Sequence, residues 1–320
     1  MIRTAFVLGA GLGTRLKALT ASRPKPLIPV ANVPLIEFAF QHLLDVGVQR
    51  LVVNTHWRAE RYAEFFPEPE YRGAPLTFRH EAPAVLETAG GIWNVRDLLG
   101  DAPFLVYNGD ILTTLDLHAA LAAHEAAGHE VTMVLRSSGG PLQVACDPAS
   151  GRVLDIGGRV DSAAGPRFLF SGIYVVNPEF IARIPAGEKI SVVPLFCEMI
   201  RAGARLGGIV LDDGVWWDLG NRENYLAVHR DLTALPPFAS SPAPWIHPAA
   251  RVHPDAQITG SSAIGRGAEI GAGAHLHDCL IWNDAVVTPG AHLTRCIVTD
   301  GTTAGGKACD FDFAPAPATR

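Results

Sequence analysis

A chain of 320 residues, 48% hydrophobic and 18% charged, is long enough to form one large domain and a smaller one. The net charge of -6 without long Lys/Arg runs argues against a nucleic-acid partner, and no apolar run approaches the ~20 residues that span a bilayer, which argues against a membrane partner. Five cysteines without C-x-x-C spacing indicate neither a disulfide framework nor a zinc site. The N-terminal segment does not resemble a secretory signal, so we expect a cytoplasmic protein.

The first predicted strand, at 5–8, runs directly into a glycine-rich loop with glycines at positions 9, 11 and 13. Such glycines let backbone N–H groups approach an anion, so we expect a phosphate-binding loop at the carboxyl end of a strand. The spacing does not fit a dinucleotide-binding G-x-G-x-x-G, because Thr14 stands where the last glycine belongs. It does not fit a P-loop either, because Thr14-Arg15 replaces Gly-Lys and the lysine comes only at position 25.

Farther along, apolar runs alternate with amphipathic segments as far as about residue 233, the pattern of an α/β layer fold. Apolar runs predict strands at 50–54, 104–107, 131–135, 169–176 and 206–210. Apolar residues three and four apart predict helices at 35–46, 117–126, 192–202 and 222–232.

A different organisation begins after a proline-rich stretch that interrupts every periodicity. From Ile246 to Trp282 an apolar residue recurs at every sixth position. Hexapeptide repeats are typical of a parallel β-helix, and they resemble the left-handed form, in which three hexads make one coil and 246–299 gives about three coils. We predict a domain at 1–234, a linker at 235–245, a β-helix at 246–304 and a tail at 305–320.

Several motifs together resemble the sugar-1-phosphate nucleotidyltransferases, or nucleotide-sugar pyrophosphorylases. They are the glycine-rich loop ending in Thr14-Arg15, Arg23-Pro-Lys25-Pro-Leu27, Leu86-Glu-Thr-Ala-Gly-Gly91, Asn108-Gly-Asp110, Phe170-Ser-Gly-Ile-Tyr174 and Trp217-Asp-Leu-Gly-Asn221. The resemblance implies a Rossmann-like mixed sheet followed by a short left-handed parallel β-helix. It also implies transfer of a nucleotidyl group from a nucleoside triphosphate to a sugar 1-phosphate, with release of pyrophosphate.

The resemblance also assigns roles to individual residues. As catalytic residues, Arg15 offers a planar fork for the departing pyrophosphate and Lys25 a point charge near the α-phosphate. The nucleotide-binding residues implied are Leu8, Gly9, Ala10, Gly11, Gly13, Thr14, His80, Glu81, Thr88, Ala89 and Gly90. The sugar-binding residues implied are Asn108, Gly172 and Glu188.

Asp110 and Asp218 are the implied Mg²⁺ ligands. Asp110 follows a predicted strand, at the sheet edge where ligand crevices of open α/β sheets lie, although an Asp in that position also commonly caps a turn. Mg²⁺ needs one or two carboxylates plus phosphate oxygens and water. The Glu-Lys pair that many relatives use to bind the sugar phosphate has no counterpart at 153–159, which leaves Arg159 and Arg167 as candidates.

The choice of substrate is divided between two branches of the family. The catalytic motifs are similar to the branch of N-acetylmuramate-1-phosphate uridylyltransferase and favour UTP, whereas the repeat tail is more similar to mannose-1-phosphate guanylyltransferases, which use GTP. Two further alternatives are a non-catalytic regulatory subunit that binds nucleotide sugars and an acyltransferase role of the β-helix. We also expect a homo-oligomer through the repeat domain, because coil faces and edges pack readily against copies.

Overall fold

A computed structural model describes residues 2–161, 165–232 and 243–315. The chain packs into two compact units, one comprising Met1–Leu12 and Ile36–Trp217 and the other Gly13–Leu35 and Asp218–Arg320. The segment Gly13–Leu35 therefore packs with the C-terminal part of the chain. The predicted domain 1–234 does not show this division, because it places the whole N-terminal segment in one domain. Most of the predicted linker, 235–245, lies outside the described residues.

The secondary structure before the repeat consists of fourteen strands, seven α-helices and three 3₁₀ helices within the described residues. The strands are β1 (Thr4–Leu8), β2 (Pro29–Val30), β3 (Val33–Pro34), β4 (Arg50–Thr55), β5 (Glu70–Tyr71), β6 (Ala74–His80), β7 (Phe104–Asn108), β8 (Ile111–Thr113), β9 (Val131–Arg136), β10 (Val144–Asp147), β11 (Arg152–Ile156), β12 (Arg167–Val176), β13 (Leu206–Val210) and β14 (Trp216–Asp218). The α-helices are α1 (Leu35–Asp45), α2 (Glu60–Phe65), α3 (Glu87–Asn94), α4 (Arg96–Leu99), α5 (Leu117–Ala127), α6 (Val192–Arg201) and α7 (Arg222–Leu232), and the 3₁₀ helices are Thr14–Thr20, Lys25–Leu27 and Pro178–Arg183.

The larger unit is built on a ten-stranded sheet of order β10-β11-β13-β9-β12-β7-β1-β4-β6-β5. Strand β1 is parallel to both of its neighbours, so that Leu8 is level with Asn54 of β4 and Asn108 of β7. Strand β12 is antiparallel to β7 and β9, which makes the sheet mixed. The α/β fold with a mixed sheet is thereby confirmed, and the loops after β1, β4 and β7 leave the sheet at the same edge.

The smaller unit contains the repeat, which forms three parallel sheets. Its strands are β15 (Trp245–Ile246), β16 (Arg251–Val252), β17 (Gln257–Thr259), β18 (Ala263–Ile264), β19 (Glu269–Ile270), β20 (His275–His277), β21 (Leu280–Ile281), β22 (Val286–Val287), β23 (His292–Thr294), β24 (Ile297–Val298), β25 (Thr303–Ala304), β26 (Lys307–Cys309) and β27 (Asp312–Phe313). The sheets have the orders β15-β18-β21-β24-β27, β16-β19-β22-β25 and β17-β20-β23-β26, with the apolar residues of the repeat inside. The prediction of a left-handed parallel β-helix is confirmed.

The coil continues beyond residue 304, so β26 and β27 lie in the segment predicted as a tail. The reason is a change of period. Ile246 pairs with Ile264, eighteen residues on, Ile264 with Ile281, seventeen on, and Val298 with Phe313, fifteen on. A six-residue template loses register with such shortened turns. None of the helices in the described part of the chain is long and apolar enough to cross a membrane.

Candidate active site

The first glycine of the loop is fixed by side chains of the larger unit. The N–H of Gly9 donates to Oδ1 of Asn54 at 2.7 Å, and its carbonyl oxygen accepts from the hydroxyl of Tyr62 at 2.8 Å. A Cβ at Gly9 would lie 2.7 Å from the carbonyl oxygen of Asn54, so the backbone contact requires glycine. Gly11 differs, because no atom of the described residues outside 10–12 lies within 4 Å of a Cβ placed there. Packing therefore explains Gly9 and leaves the space beside Gly11 open to a ligand.

Glu81 supports the same loop from behind. Its carboxylate accepts from Nδ2 of Asn54 and from the N–H of Leu86, both at 2.7 Å, and the residue is 1% exposed. Both carboxylate oxygens of Glu81, a predicted nucleotide-binding residue, are therefore hydrogen-bonded within the protein. Asn54, which the sequence motifs do not mark as a site residue, connects Glu81 to the loop. His80 is exposed, and its ring stacks on His56 with centroids 6.0 Å apart.

The predicted nucleotide-binding residues at the start of α3 pack against the backbone of 188–192, a segment that begins with the predicted sugar-binding residue Glu188. The hydroxyl of Thr88 accepts from the N–H of Val192 at 2.8 Å, and the N–H of Gly90 donates to the carbonyl oxygen of Ile190 at 3.0 Å. A Cβ at Gly90 would lie 2.4 Å from the carbonyl oxygen of Glu188. The close packing of this segment on α3 therefore depends on glycine at position 90.

The end of β7 carries predicted sugar and metal residues. Gly172 has a φ of +86°, and a Cβ there would lie 2.6 Å from Nδ2 of Asn108, so the two predicted sugar-binding residues are in contact. The N–H of Gly109 donates to the carbonyl oxygen of Leu8 at 3.0 Å. This bond fixes the turn that leads to Asp110, which is partly exposed at the carboxyl edge of the sheet.

In the smaller unit, both predicted catalytic cations contact the predicted metal ligand Asp218. Nζ of Lys25 lies 3.2 Å from Oδ1 of Asp218, and the guanidinium of Arg15 lies 3.3 Å from Oδ2. The side chain of Lys25 is 5% exposed and that of Arg15 is 65% exposed. The lysine is therefore enclosed by protein, whereas the arginine projects towards solvent.

Local backbone structure positions these cations. Gly13 has a left-handed φ of +61° and precedes the 3₁₀ helix that carries Arg15, and its carbonyl oxygen accepts from the hydroxyl of Thr20 at 3.0 Å. Pro24 precedes Lys25, the first residue of the next 3₁₀ helix, and favours a fixed turn there. A different glycine makes room for the fork of Arg15, because a Cβ at Gly220 would lie 2.4 Å from Nη2.

The electrostatics of Asp218 fit a metal ligand. Burial opposes its ionisation, but the charges of Lys25 and Arg15 and their hydrogen bonds outweigh burial and hold the pKa of Asp218 below its usual range. Among the residues that the structure describes, no group of three or more His, Cys, Asp or Glu could hold a metal ion. Mg²⁺ commonly binds one or two carboxylates and completes its shell with phosphate oxygens and water. An ionised aspartate beside two cations that are predicted to bind phosphate fits an ion of this kind.

Comparison of the sequence with known protein families gives a match to the nucleotidyl transferase family over residues 4–234. The chain belongs to the nucleotidyl transferase family. The resemblance of the sequence motifs to this family is thus confirmed.

Several curated relatives are about 30% identical to the aligned part of the chain. The N-acetylmuramate alpha-1-phosphate uridylyltransferase of Neisseria meningitidis serogroup B is 32% identical over 216 residues, 68% of this chain and 92% of that protein. The mannose-1-phosphate guanylyltransferase of Mycobacterium tuberculosis is 30% identical over 232 residues, 71% of this chain but only 64% of that relative's length. A solved UDP-glucose pyrophosphorylase from Acinetobacter baumanii shares the fold, with a TM-score of 0.61 and 18% identity over 75% of this chain and 96% of the other.

Of the two candidate anchors for the sugar phosphate, Arg167 forms an ion pair within the protein. Nη2 of Arg167 lies 3.0 Å from Oδ2 of Asp155, a fully buried carboxylate. Burial opposes ionisation of Asp155, but hydrogen bonds from the N–H groups of Val160 and Gly158 and from Arg167 lower its pKa to about 2. Arg167 thus balances a buried charge, and exposed Arg159 is the better candidate for an anchor.

Proposed function

We propose that the protein transfers a nucleotidyl group from a nucleoside triphosphate, with UTP favoured, to a sugar 1-phosphate and releases pyrophosphate. The cluster of Arg15, Lys25 and Asp218, in a chain of the nucleotidyl transferase family, carries this proposal. Phosphate transfer is accelerated mainly by positioning and by fixed charges at the phosphate oxygens. Two cations held beside an ionised carboxylate are suited to that task.

In this proposal the glycine-rich loop binds the triphosphate. Gly9 is held by Asn54 and Tyr62, and Gly11 leaves room for a phosphate to approach the backbone. Arg15 binds the departing pyrophosphate through its fork, and Lys25 binds the α-phosphate. Both cations are bonded to Asp218 in this structure, so phosphate oxygens compete with that carboxylate for the same donors.

The acceptor supplies its own nucleophile. An oxygen of the sugar 1-phosphate is already an anion near neutral pH, so no general base is needed. It attacks the α-phosphorus in line, one P–O bond forms, and the bond to the β-phosphate oxygen breaks with its electrons leaving on pyrophosphate. The residues therefore act by orienting the two substrates and by stabilising negative charge.

We assign Asp110 and Asp218 as the Mg²⁺ ligands. The bound ion supplies electrostatic stabilisation of the charge on the phosphate oxygens. The ionised state of Asp218 that Lys25 and Arg15 enforce is the state such a ligand requires.

The remaining predicted residues divide between base and sugar. We propose that the base lies against Leu8–Ala10 and the segment 80–90, with Glu81 acting as the support of Asn54. The sugar is proposed to contact Asn108, Gly172 and the 188–190 backbone.

Two groups of relatives indicate different donors. UTP is favoured because the proteins named as N-acetylmuramate alpha-1-phosphate uridylyltransferases from Neisseria meningitidis and Caulobacter vibrioides align over 92% and 97% of their lengths. GTP with mannose 1-phosphate is the second candidate, because the Mycobacterium tuberculosis relative has the corresponding name. A site built to hydrogen-bond one base penalises another by leaving buried polar groups unpaired.

The proposal is tested by measuring pyrophosphate release over a matrix of nucleoside triphosphates and sugar 1-phosphates with Mg²⁺. We expect release only when both substrates are present, with UTP giving the highest kcat/KM. A kcat/KM for GTP with mannose 1-phosphate about tenfold above that for UTP would contradict UTP as the preferred donor but would leave the proposed nucleotidyl transfer in place. No release with any pair would contradict catalysis and favour a regulatory subunit that binds nucleotide sugars.

We also propose a homo-oligomer that assembles through the β-helix. Two apolar side chains of the coil support it, because Ile246 is 43% and Phe311 54% exposed. Light scattering of the wild type and of Phe311→Asp tests the proposal. A smaller assembly in the variant is expected, and a monomeric wild type would contradict it.

A further inference from the structure

Arg23, two residues before Lys25, is a buried cation whose main partner lies in the β-helix. The residue is 1% exposed, and its Nη2 donates to both oxygens of Asp300 at 2.5 and 2.7 Å. Its Nη1 donates to the carbonyl oxygen of Leu27 at 3.2 Å. Because a buried guanidinium is costly unless it is paired, these bonds hold Arg23 in one arrangement. The same side chain therefore links the turn that carries Lys25 to the coil.

A tryptophan of the coil covers the other side of this guanidinium. The carbon at its centre lies 5.1 Å from the ring centroid of Trp282, which is 1% exposed. Nε1–H of Trp282 donates to the hydroxyl of Tyr225 at 3.1 Å, and that hydroxyl donates to the carbonyl oxygen of Pro29 at 2.5 Å. The two ends of the segment 23–29 are thus attached, directly and through Tyr225, to the same coil residue.

A third attachment follows shortly after. Nδ2 of Asn32 donates to the carbonyl oxygens of Trp245 and Ile264, on successive turns of the coil, at 2.9 and 3.0 Å. Three separate contacts therefore hold the segment from Arg23 to Asn32 against the β-helix. Lys25 lies within this segment and is the residue that needs a fixed position.

We propose that the β-helix is part of the catalytic apparatus, with Asp300 and Trp282 as positioning residues that hold Lys25 in place through Arg23. The proposal rests on the proposed role of Lys25 at the α-phosphate. The bond from Arg23 to Leu27 spans the 3₁₀ turn that begins at Lys25, so a shift of the guanidinium moves the lysine backbone. A displacement of about 1 Å in a transfer site can cost about 10²-fold in rate.

The geometry also explains why the cation at position 23 is an arginine. Its planar fork reaches Asp300 and Leu27 at once while its face lies on Trp282. A lysine ammonium is a point charge that can pair with Asp300 but cannot copy the fork or the stacked face. The positioning role therefore predicts that Arg23→Lys keeps the charge balance and loses the fixed turn.

The test uses the full-length wild type, three proteins altered at Arg23 or Asp300, and one control variant. Asp300→Asn removes the charge of the partner, Arg23→Lys keeps the ion pair, and the pair Arg23→Met with Asp300→Leu removes both charges and leaves no unpaired buried ion. Asp255→Asn is the matched control, because this coil carboxylate is 76% exposed and faces His253. Thermal unfolding shows which proteins are folded.

Two readouts are compared. The first is the rate at which acetic anhydride modifies the Lys25 amine, measured by mass spectrometry of its peptide without any substrate. We expect modification at least about fivefold faster in each Arg23 or Asp300 variant, because Lys25 loses its enclosure, and no change in Asp255→Asn. The second is pyrophosphate release, in which kcat should fall about tenfold while KM for the sugar 1-phosphate changes little.

Folded variants with Lys25 modification and kcat both within about twofold of wild type would overturn the inference. The first readout does not depend on the proposed function. If the wild type releases no pyrophosphate but modification still accelerates in the variants, the proposed function fails and the positioning of Lys25 stands.

Discussion

The amine of Lys25 lies 3.2 Å from the carboxylate of Asp218, although 193 residues separate them in the chain. Arg15 reaches the other oxygen of the same carboxylate. One aspartate thus aligns the two cations proposed to bind the triphosphate, and it is also the proposed metal ligand. Substitution of Asp218 should therefore disturb both functions at once.

We expect Asp110→Asn and Asp218→Asn to lower turnover by at least about a hundredfold, because each removes the charge of a proposed metal ligand. Pyrophosphate release with and without a chelator measures this, and activity should return when Mg²⁺ is added back. Asp213→Asn, on an exposed loop, is the control and should remain near wild type. Near-normal turnover in both Asp110→Asn and Asp218→Asn would contradict the proposal that these two aspartates bind the metal.

Arg15→Ala and Lys25→Ala should each cost on the order of 10²-fold in kcat, the usual scale for a preorganised charge at a transferring phosphoryl group. Arg15→Lys should recover only part of the loss, because a point charge cannot reproduce the bidentate fork. Steady-state kinetics of pyrophosphate release provide the comparison. Wild-type behaviour of Arg15→Lys would show that the fork plays no part.

Much of the fold follows from sequence periodicity. The predicted strand at 206–210 and helix at 222–232 coincide with β13 and α7, and the six-residue period identified the coil. Helix α3 was not predicted because Gly90 and Gly91 lie inside it, and glycine disfavours helix. The structure explains both, since a Cβ at Gly90 would lie 2.4 Å from the carbonyl oxygen of Glu188 and one at Gly91 would lie 3.0 Å from Nδ2 of Asn54.

The candidate site was only partly accessible from sequence. Local motifs drew attention to Arg15, Lys25 and Asp218, which the structure brings together. They gave no reason to pair Arg23 with Asp300, because the partner lies 277 residues away in a repeat whose pattern records coil packing. Contacts at such separation depend on tertiary structure, and a local period carries no information about them.

Removing the β-helix by ending the chain at residue 242 should lower kcat at least about tenfold, even though the proline-rich linker predicts an independent domain. The truncation deletes Asp300, Trp282 and the carbonyl groups that bind Asn32. A chain ending at residue 315 is the control. Circular dichroism and pyrophosphate release test both proteins, and a truncated protein with wild-type kcat would contradict the supporting role of the coil.

Stability should depend on pH through His229. Its Nε2 accepts from the N–H of Ala31 at 3.1 Å, so Nδ1 carries the proton and donates to the carbonyl oxygen of Tyr225 at 2.8 Å. Burial lowers the pKa of His229 from 6.5 to about 4. Between those values the unfolded chain binds a proton that the folded chain does not. The free energy of unfolding should therefore fall by about 1.4 kcal/mol per pH unit as pH decreases from about 6.5 to about 4, with no such effect above 6.5.

Urea unfolding at a series of pH values measures this dependence in the wild type and in His229→Gln. Other histidines, such as His124, also have a pKa lowered by burial, so the difference between the two proteins isolates His229. We expect a shallower fall in the variant below about pH 6.5. Parallel curves would show that His229 does not titrate differently on folding.

The most direct measurement of nucleotidyl transfer follows the α-phosphorus of the donor. The protein is incubated with Mg²⁺, a sugar 1-phosphate and UTP labelled either at the α- or at the γ-phosphorus. We predict that the α-label appears in the nucleotide-sugar and the γ-label in pyrophosphate, in equal amounts and only when the sugar 1-phosphate is present. Transfer of the γ-label to the sugar, or no transfer of the α-label from any nucleoside triphosphate, would contradict the proposed reaction.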